Sequence, residues 1–296
     1  MNQENQKHIP SMTEFLQLPQ SAIAEIMPES VIFASGGTRR AAALANVAFG
    51  DDFVRWNREQ MLASSALFFR LGVKHLILPM GSPKMFAEGG LYGQRLVQWL
   101  VWGLAGDESL AYYQRTHWQV RMVMAGKQLP VLQEAAERVL EKTKEANGPF
   151  LWFVITPDFD QMWQWMGQAF VSGVNGRNEA VQALYGYAIP PAPLLISFGK
   201  PLISQDILPP LLYEEVQCYW TQQPGYSLTE ECLRRILYDY AFLRGTWRAD
   251  KTGRAEEAVH YRQAWENGPV LGLGQRLGPF WYPLAVSQPI ADEGQE

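Results

Sequence analysis

This sequence of 296 residues has few cysteines, few histidines and no excess of positive charge. Its two cysteines, Cys218 and Cys232, and its four histidines lie far apart, so neither a disulfide framework nor a site of clustered metal ligands is expected. The net charge is −5, and no basic stripe interrupts the acidic balance. This charge argues against a dedicated nucleic-acid-binding protein, because such proteins neutralise phosphates with lysine and arginine.

The sequence also lacks an apolar run of the roughly 18 to 20 residues that a membrane-spanning helix needs. One candidate, Leu96–Ala105, is short and is interrupted by Gln98 and Gly103. The polar segment Met1–Lys7 has no apolar stretch of the kind found in signal peptides. We therefore expect a cytoplasmic protein without a membrane span.

Aromatic residues, in contrast, are abundant: the chain has 11 Trp, 12 Tyr and 14 Phe among 47% apolar residues. Such a composition can fill a large core, and most of these side chains are expected there. It also suits an aromatic-walled pocket for a large apolar ligand or a carbocation, because aromatic faces attract cations. Composition alone does not decide between these two uses.

Short apolar strands alternate with helices along the chain. Strands are predicted at 31–34, 74–78, 119–124, 150–155, 193–197 and 213–220, and helices at 53–71, 91–103, 109–116, 131–146, 159–169, 179–187 and 229–243. This alternation predicts an α/β fold with a central, mostly parallel sheet flanked by helices. Folds of this class bind ligands at the carboxyl ends of their strands.

The segment after the first predicted strand is the strongest sign of a ligand site. It is the glycine–arginine turn, Gly36–Arg40, which leads into a good helix-forming segment, 41–46. Glycines let a backbone approach a ligand closely, and arginines offer forked, permanently charged donors to phosphate oxygens. The turn therefore indicates a phosphate site, with an ordinary strand-to-helix turn and solvated arginines as the alternative.

Several segments spread over the chain form a recognisable pattern. They are Gly36–Arg40, Asp51-Asp52-Phe53, Leu71-Gly72-Val73, the late helix Leu228–Tyr240, Gly272-Leu273-Gly274 and Phe280-Trp281. In this order they resemble the bacterial diterpene synthases that adopt the cis-prenyltransferase fold, the family of tuberculosinol and kolavelool synthases. The resemblance extends from residue 12 to residue 283, and the turn and the late helix are its most specific parts.

The resemblance implies an enzyme that acts on a bicyclic C20 allylic diphosphate of the kolavenyl or tuberculosinyl type. Such an enzyme ionises the C–O bond, releases diphosphate and captures the cation with water to give a diterpene alcohol such as kolavelool. It would be classed as a carbon–oxygen lyase or a diphosphate hydrolase. Two alternatives remain: transfer of the terpenyl group to a nucleoside or another acceptor, and a non-catalytic partner subunit.

The chemistry of ionisation points to particular residues. Developing charge on the leaving oxygens needs fixed positive donors, and the cation needs a dry, tolerant wall. From the resemblance, the catalytic candidates are Arg39, Arg40, Asp52 and Phe53. The candidates for substrate binding are Ser35, Gly36, Gly37, Thr38, Arg39, Arg40, Ser82, Phe86 and Trp152. Aromatic candidates for the wall are Phe53, Trp56, Phe86, Trp99, Trp102, Trp152 and Trp163, any of which also fits a packed core.

Mg²⁺ is the cofactor that the resemblance implies, and its ligands are left open. The acidic candidates are Asp51, Asp52 and Glu215, with Asp158, Asp160 and Glu214 as further possibilities. Paired aspartates at the start of a helix are more often part of its N-terminal turn than a metal site. Ser82 has a similar alternative as part of a polar loop.

This chain departs from the family pattern at three points. Gly36, or Ser35 if the alignment shifts by one residue, stands where the elongating enzymes and the mycobacterial type have an aspartate, and Phe53 stands where the mycobacterial type has a tyrosine. The segment Ile196–Lys200 lacks the arginines with which elongating enzymes hold a second diphosphate. These departures favour a single-substrate enzyme of the kolavelool type over chain elongation.

The domain organisation follows from the same resemblance. We expect a polar tail and a short helix over residues 1–27, one catalytic domain over 28–285 and a flexible tail over 286–296. A homodimer is implied, with the arginines of the late helix in a structural role. The expected partner is the diterpenyl diphosphate substrate, with no nucleic acid.

Overall fold

The computed structural model of this chain describes residues 9–126, 129–171, 173–223, 225–246 and 249–283. Six strands form one sheet in the order β3-β4-β2-β1-β5-β6, and every neighbouring pair is parallel. The strands are β1 Ser30–Ala34, β2 His75–Pro79, β3 Gln119–Met124, β4 Phe150–Ile155, β5 Leu194–Phe198 and β6 Gln217–Thr221. The predicted α/β fold with a parallel sheet is confirmed.

Thirteen α-helices accompany the strands in the described residues. They are α1 Met12–Leu16, α2 Gln20–Ala24, α3 Thr38–Leu44, α4 Asp51–Arg70, α5 Pro83–Phe86, α6 Gly90–Ala105, α7 Asp107–Arg115, α8 Pro130–Thr143, α9 Phe159–Val171, α10 Arg177–Tyr185, α11 Glu230–Tyr238, α12 Arg254–His260 and α13 Arg262–Glu266. A two-stranded antiparallel hairpin, β7 Gly274–Leu277 and β8 Phe280–Pro283, ends the described chain.

Neighbouring residues of the central strands belong to two separate cores. Val31 and Phe33 of β1 pack into the larger core with α4, α6, α8 and α11, whereas Ile32 packs into a smaller core with α9 and α10. Side chains alternate between the two faces of a strand, and helices cover both faces of this sheet. The central strands therefore consist almost entirely of apolar residues.

The leading segment is part of the larger core. Phe15 of α1 and Ile23 of α2 are fully buried in it. Arg234 of α11 donates from Nη1 to the carbonyl oxygens of Leu16 and Leu18, at 3.3 and 2.7 Å. The residues expected to form a tail and a short helix thus contain two packed helices, and Arg234 has a structural role.

Several predicted boundaries differ from the observed ones. The sixth strand begins at Gln217 rather than at residue 213. The late helix begins at Glu230, one residue later than predicted, because the Thr229 hydroxyl caps it by accepting from the Cys232 N–H at 3.1 Å. The same helix leaves α-geometry after Tyr238 and continues as a π-helical turn. In each case local hydrogen bonding fixed the boundary within a run of suitable residues.

The structure also bears on the expected membrane span, cysteines and C-terminal tail. None of the helices in the described ranges is both long and apolar enough to cross a membrane. Cys218 and Cys232 are both free. The tail expected at 286–296 lies outside the described residues.

Candidate functional site

The glycine–arginine turn lies at the carboxyl end of β1, between the ends of β2 and β5. Gly37 has a φ of 69°, in the left-handed region that glycine adopts without strain, and α3 begins at the next residue. The Gly36 carbonyl accepts a hydrogen bond of 2.8 Å from the Gly225 N–H. The loop between β6 and α11 therefore lies directly against the turn.

The two arginines of the turn have different surroundings. Arg39 donates from Nη1 and Nη2 to the two carboxylate oxygens of Glu88, at 2.5 and 3.1 Å, and its guanidinium lies 4.4 Å from the centre of the Tyr92 ring. Arg40 folds back over the turn and lies 5.5 Å from the ring of Phe280 in β8. Within the described parts of the chain, no carboxylate is within ion-pair distance of Arg40. Its charge is therefore available to an anion at the turn.

A cavity of about 110 Å³, the site cavity, lies beside the turn between α4 and α6. This volume is below the range of about 300–1,000 Å³ that is usual for small-molecule sites, so a C20 ligand would have to extend beyond the cavity or displace its walls. Ser35 and Thr38 line the cavity at the turn, and Phe53, Asn57 and Met61 line it one helical turn apart along α4. Most of the other lining residues are apolar, so the cavity suits the hydrocarbon part of a ligand whose anionic end lies at the turn.

Phe53, Tyr92 and Trp99 line this cavity, and together with Phe49, which packs against all three, they form an aromatic wall. The ring centres of Phe49 are 5.5 Å from Phe53 and 5.6 Å from Trp99, and Trp99 is 5.9 Å from Tyr92. Aromatic faces stabilise a nearby cation by about 0.5–2 kcal/mol, depending on desolvation. Since Arg39 lies over Tyr92, the aromatic wall extends from the cavity to the turn.

Two tyrosines at the cavity keep their protons at neutral pH. Burial raises the pKa of Tyr92, an effect that the Arg39 guanidinium opposes and the Glu88 carboxylate reinforces. Burial also raises the pKa of Tyr226 to about 12, and the neighbouring Ser35 hydroxyl opposes that shift. Both phenols are therefore neutral hydrogen-bonding groups and not bases.

The structure brings some of the predicted site residues together and separates others. Ser35, Thr38 of the turn and Phe53 line the site cavity, whereas Arg39 and Arg40 lie outside its lining. Ser82 caps α5 by accepting from the Met85 N–H at 3.3 Å, and Phe86 packs beside Gly81 without lining the cavity. These two residues support the cavity from outside.

Trp152 is not at the cavity. It is fully buried in the smaller core, and its Nε1 donates to His75 Nδ1 at 3.2 Å. Its neighbour Phe153 belongs to the larger core, because adjacent strand residues point to opposite faces. Trp152 therefore lies on the face of the sheet opposite the site cavity, a position that does not fit its assignment to substrate binding.

Most other aromatic candidates for the wall also lie elsewhere. Trp163 is 56% exposed, Trp102 is 39% exposed and stacks with Arg58, and Trp56 packs against a small cluster around Phe53. Of the predicted tryptophans, Trp99 lines the site cavity.

The acidic candidates for Mg²⁺ do not converge. Asp51 and Asp52 are exposed in the first turn of α4, where they face Arg95 at 3.8 Å and Arg55 at 3.4 Å. Glu215 is exposed and precedes the amino end of β6. The turn follows the carboxyl end of β1, so Glu215 lies at the other end of the parallel strands. No group of three or more potential metal ligands was found in the described residues.

Asp158 also has a structural role. Its Oδ1 accepts from the N–H groups of Asp160 and Gln161, at 2.8 and 3.2 Å, and so caps the start of α9. The described carboxylates therefore do not form a protein-held Mg²⁺ site.

The polar residues Asn57, Tyr92 and Tyr226, which line the cavity, and Glu88, which pairs with Arg39 of the turn, were not predicted from the sequence. A polar Asn57 four residues after Phe53 on a helical apolar stripe was a signal that could have been used. Glu88 and Tyr226 come from loops, and no spacing in the sequence links them to the turn.

Comparison with solved structures agrees with this architecture. Lavandulyl diphosphate synthase from Lavandula x intermedia superposes with a TM-score of 0.60 at 15% identity, covering 76% of this chain and 98% of that one. A probable undecaprenyl diphosphate synthase from Campylobacter jejuni gives 0.52 at 14% identity, covering 74% and 97%. At this identity the likeness shows the fold, which is that of the cis-prenyltransferases.

Sequence comparison shows the family. No family model matches the chain, but it is 47% identical over 281 residues to (+)-kolavelool synthase of Herpetosiphon aurantiacus, covering 94% of this chain and 97% of that protein. The chain belongs to the diterpene synthases of the cis-prenyltransferase fold. It is also 27% identical over 254 residues to tuberculosinyl adenosine transferase of Mycobacterium tuberculosis, covering 79% of this chain and 83% of that one. The resemblance seen in the sequence is confirmed.

Proposed function

We propose that this diterpene synthase ionises a bicyclic C20 allylic diphosphate of the kolavenyl type, with the tuberculosinyl type as the next candidate. It then releases diphosphate and captures the cation with water, giving a diterpene alcohol such as kolavelool. The observation that carries the proposal is an aromatic-walled cavity beside an arginine-rich turn, in a chain 47% identical to (+)-kolavelool synthase. With water as the acceptor, the net reaction is hydrolysis of the C–O bond to diphosphate.

In this proposal the glycine–arginine turn receives the diphosphate. Arg40 has no competing carboxylate among the described residues, and Arg39 can exchange Glu88 for diphosphate oxygens. Thr38 adds a hydroxyl at the cavity side of the turn. Fixed donors of this kind stabilise the negative charge that develops on the leaving oxygens.

The aromatic wall takes the hydrocarbon end of the substrate. Phe53, Tyr92 and Trp99 line the cavity, and their faces attract the allylic cation. An apolar surrounding also limits the number of water molecules that can reach the cation. Phe53 keeps this role as a ring without a hydroxyl.

Mg²⁺ remains a prediction from the family resemblance. Since the described carboxylates do not converge, we derive no step through a metal ion held by the protein. Turnover with and without a chelator, followed by Mg²⁺ addition, measures whether the reaction needs the ion.

The decisive experiment is a product assay. Purified protein is incubated separately with kolavenyl, tuberculosinyl and geranylgeranyl diphosphates, and the extracts are analysed by gas chromatography with mass spectrometry. A new diterpene alcohol from one bicyclic substrate, with release of diphosphate, supports the proposal and identifies the skeleton. An extended prenyl diphosphate, or no diphosphate release from any substrate, contradicts it.

The first alternative is transfer of the terpenyl group to another acceptor. The 27% identity to tuberculosinyl adenosine transferase motivates this candidate. Adding adenosine to the same assay distinguishes the two, because a transferase forms a terpenyl nucleoside at the expense of the alcohol. The second alternative, a non-catalytic partner, predicts substrate binding without diphosphate release.

We also propose that the protein acts as a cytoplasmic homodimer, as the sequence led us to expect. Light scattering coupled to size-exclusion chromatography measures the mass in solution against 33.6 kDa for one chain.

A further inference from the structure

Two buried oxygen atoms at the site cavity have no hydrogen-bond partner among the described residues. They are the amide oxygen Oδ1 of Asn57 and the hydroxyl of Tyr226. Other buried polar atoms without partners belong to residues elsewhere in the fold, whereas both of these residues line the cavity. The Ser35 hydroxyl is close enough to Tyr226 to oppose the rise of its pKa, but no hydrogen bond of normal geometry joins the two hydroxyls.

Leaving such an atom unsatisfied is costly. A buried acceptor without a donor costs roughly 1–3 kcal/mol, and native proteins pair nearly all such groups with protein or ordered water. The cost here is borne by two residues of one cavity. A ligand or water in that cavity is therefore the natural partner of both oxygens.

The chemistry of the expected substrate limits what this partner is. A bicyclic hydrocarbon body has no hydrogen-bond donor, and ionised diphosphate oxygens are acceptors, so neither can satisfy Asn57 Oδ1. A water molecule donates two hydrogen bonds and keeps a lone pair. It can bind to an amide oxygen and a phenol oxygen while its own oxygen faces a carbon atom.

Asn57 and Tyr226 are held by rigid parts of the site. Asn57 lies one helical turn after Phe53 on α4, so its side chain shares the face of the aromatic wall. Tyr226 follows Gly225, whose N–H is fixed to the Gly36 carbonyl of the glycine–arginine turn. One oxygen thus comes from the hydrocarbon side of the cavity and the other from the diphosphate side.

We infer that Asn57 and Tyr226 hold the water molecule that captures the allylic cation, an inference that rests on the proposed function. The C–O bond to diphosphate breaks, and its electron pair stays on the leaving oxygen. A lone pair of the held water forms the new C–O bond, and the proton of the resulting oxonium passes to the released diphosphate. Asn57 and Tyr226 position the water and do not accept the proton.

This inference predicts a change in product rather than a loss of ionisation. Without a positioned water, the cation loses a proton to diphosphate and leaves as a diterpene hydrocarbon. The variants Asn57→Leu, which keeps the side-chain shape, and Tyr226→Phe, which removes one oxygen, test the two positions separately. Asn178→Leu is the matched control, since Asn178 is an exposed residue of α10 outside the cavity.

The measurement is diphosphate release together with the ratio of alcohol to hydrocarbon, in water enriched with ¹⁸O. We expect both cavity variants to release diphosphate and to lower this ratio by about tenfold, the effect of losing ~1.4 kcal/mol of hydrogen bonding. The control keeps the wild-type ratio. An unchanged ratio in both cavity variants overturns the inference, and so does loss of diphosphate release in both folded variants, because it assigns them to ionisation.

Failure of the proposed function has a different signature. If the wild-type protein itself releases no diphosphate, the proposed function fails and the water site fails with it. If it releases diphosphate and both cavity variants keep the wild-type ratio, only the water site is wrong.

Discussion

Gly36 lies so close to the backbone of Phe198 that the turn has no room for a side chain. A Cβ atom built on Gly36 would be 2.7 Å from the Phe198 carbonyl oxygen, closer than real Cβ contacts. Phe198 ends β5, the strand next to β1, so this approach follows from the pairing of the two strands. In this chain the backbone around residue 36 therefore leaves no room for the acidic side chain of the family pattern.

We expect Gly36→Ala to destabilise the protein. Overpacking a tight site costs about 1–3 kcal/mol, and here the neighbouring atom belongs to the backbone of a central strand. Gly167→Ala is the matched control, because Gly167 is exposed inside α9 and a Cβ there meets nothing within 4 Å. The control is expected to gain roughly 0.5–1 kcal/mol. Urea unfolding of both variants measures the difference, and equal stabilities would contradict the close contact.

Arg39→Ala and Arg40→Ala are each expected to lower turnover by about tenfold or more, as loss of a charged donor to a leaving group does. Arg235→Ala is the control, since its exposed guanidinium pairs with Glu231 on the same helix. Steady-state diphosphate release gives kcat and KM for all three. Full activity of either turn variant in a folded protein would remove the turn from the mechanism.

Glu88→Gln is expected to tighten substrate binding. Diphosphate must displace the Glu88 carboxylate from Arg39, and a partly exposed ion pair of this kind is worth at most about 1 kcal/mol. The KM should therefore fall by up to about fivefold. In an Arg39→Ala background the same substitution should change nothing, because the ion pair is already absent. An effect of equal size in both backgrounds would show that Glu88 acts independently of Arg39.

Trp99→Leu is expected to lower kcat by about 2-fold to 30-fold while KM changes little, since a ring facing the cation contributes ~0.5–2 kcal/mol. Trp163→Leu on α9 is the control, because that side chain is exposed and outside the cavity. A larger change in KM than in kcat would instead assign Trp99 to ground-state binding.

The fold was largely predictable because each central strand is a short and mostly apolar run. The bounds predicted for the strands at 119–124 and 150–155 agree with the structure. The sixth strand was placed too early, because Tyr213–Val216 has the composition of a strand but two glutamates within it are exposed.

The site was only partly predictable. The glycine–arginine turn could be found because charged and flexible residues follow an apolar strand. Trp152 was misplaced because periodicity gives alternation along a strand but not which face meets the cavity. Tyr226 and Glu88 could not be found, since contacts between loops distant in sequence depend on the packed structure.

Because of His75, we expect the protein to lose stability at low pH. Burial lowers its pKa, with Lys74 acting in the same direction and Glu29 opposing, and its Nδ1 accepts the hydrogen bond from Trp152. In the unfolded chain the histidine pKa is about 6.5, higher than in the folded protein, so at pH values below about 6.5 the unfolded chain binds more protons than the folded one. The contribution of His75 to stability is therefore complete above about pH 6.5 and is lost as the pH decreases below it. One proton limits the slope to about 1.4 kcal/mol per pH unit. His75→Gln should flatten this part of the profile, whereas His117→Asn, at an exposed residue with φ of 56°, should leave it unchanged. Denaturant unfolding between neutral and mildly acidic pH measures this, and a His75→Gln profile as steep as the wild type would show that other groups are responsible.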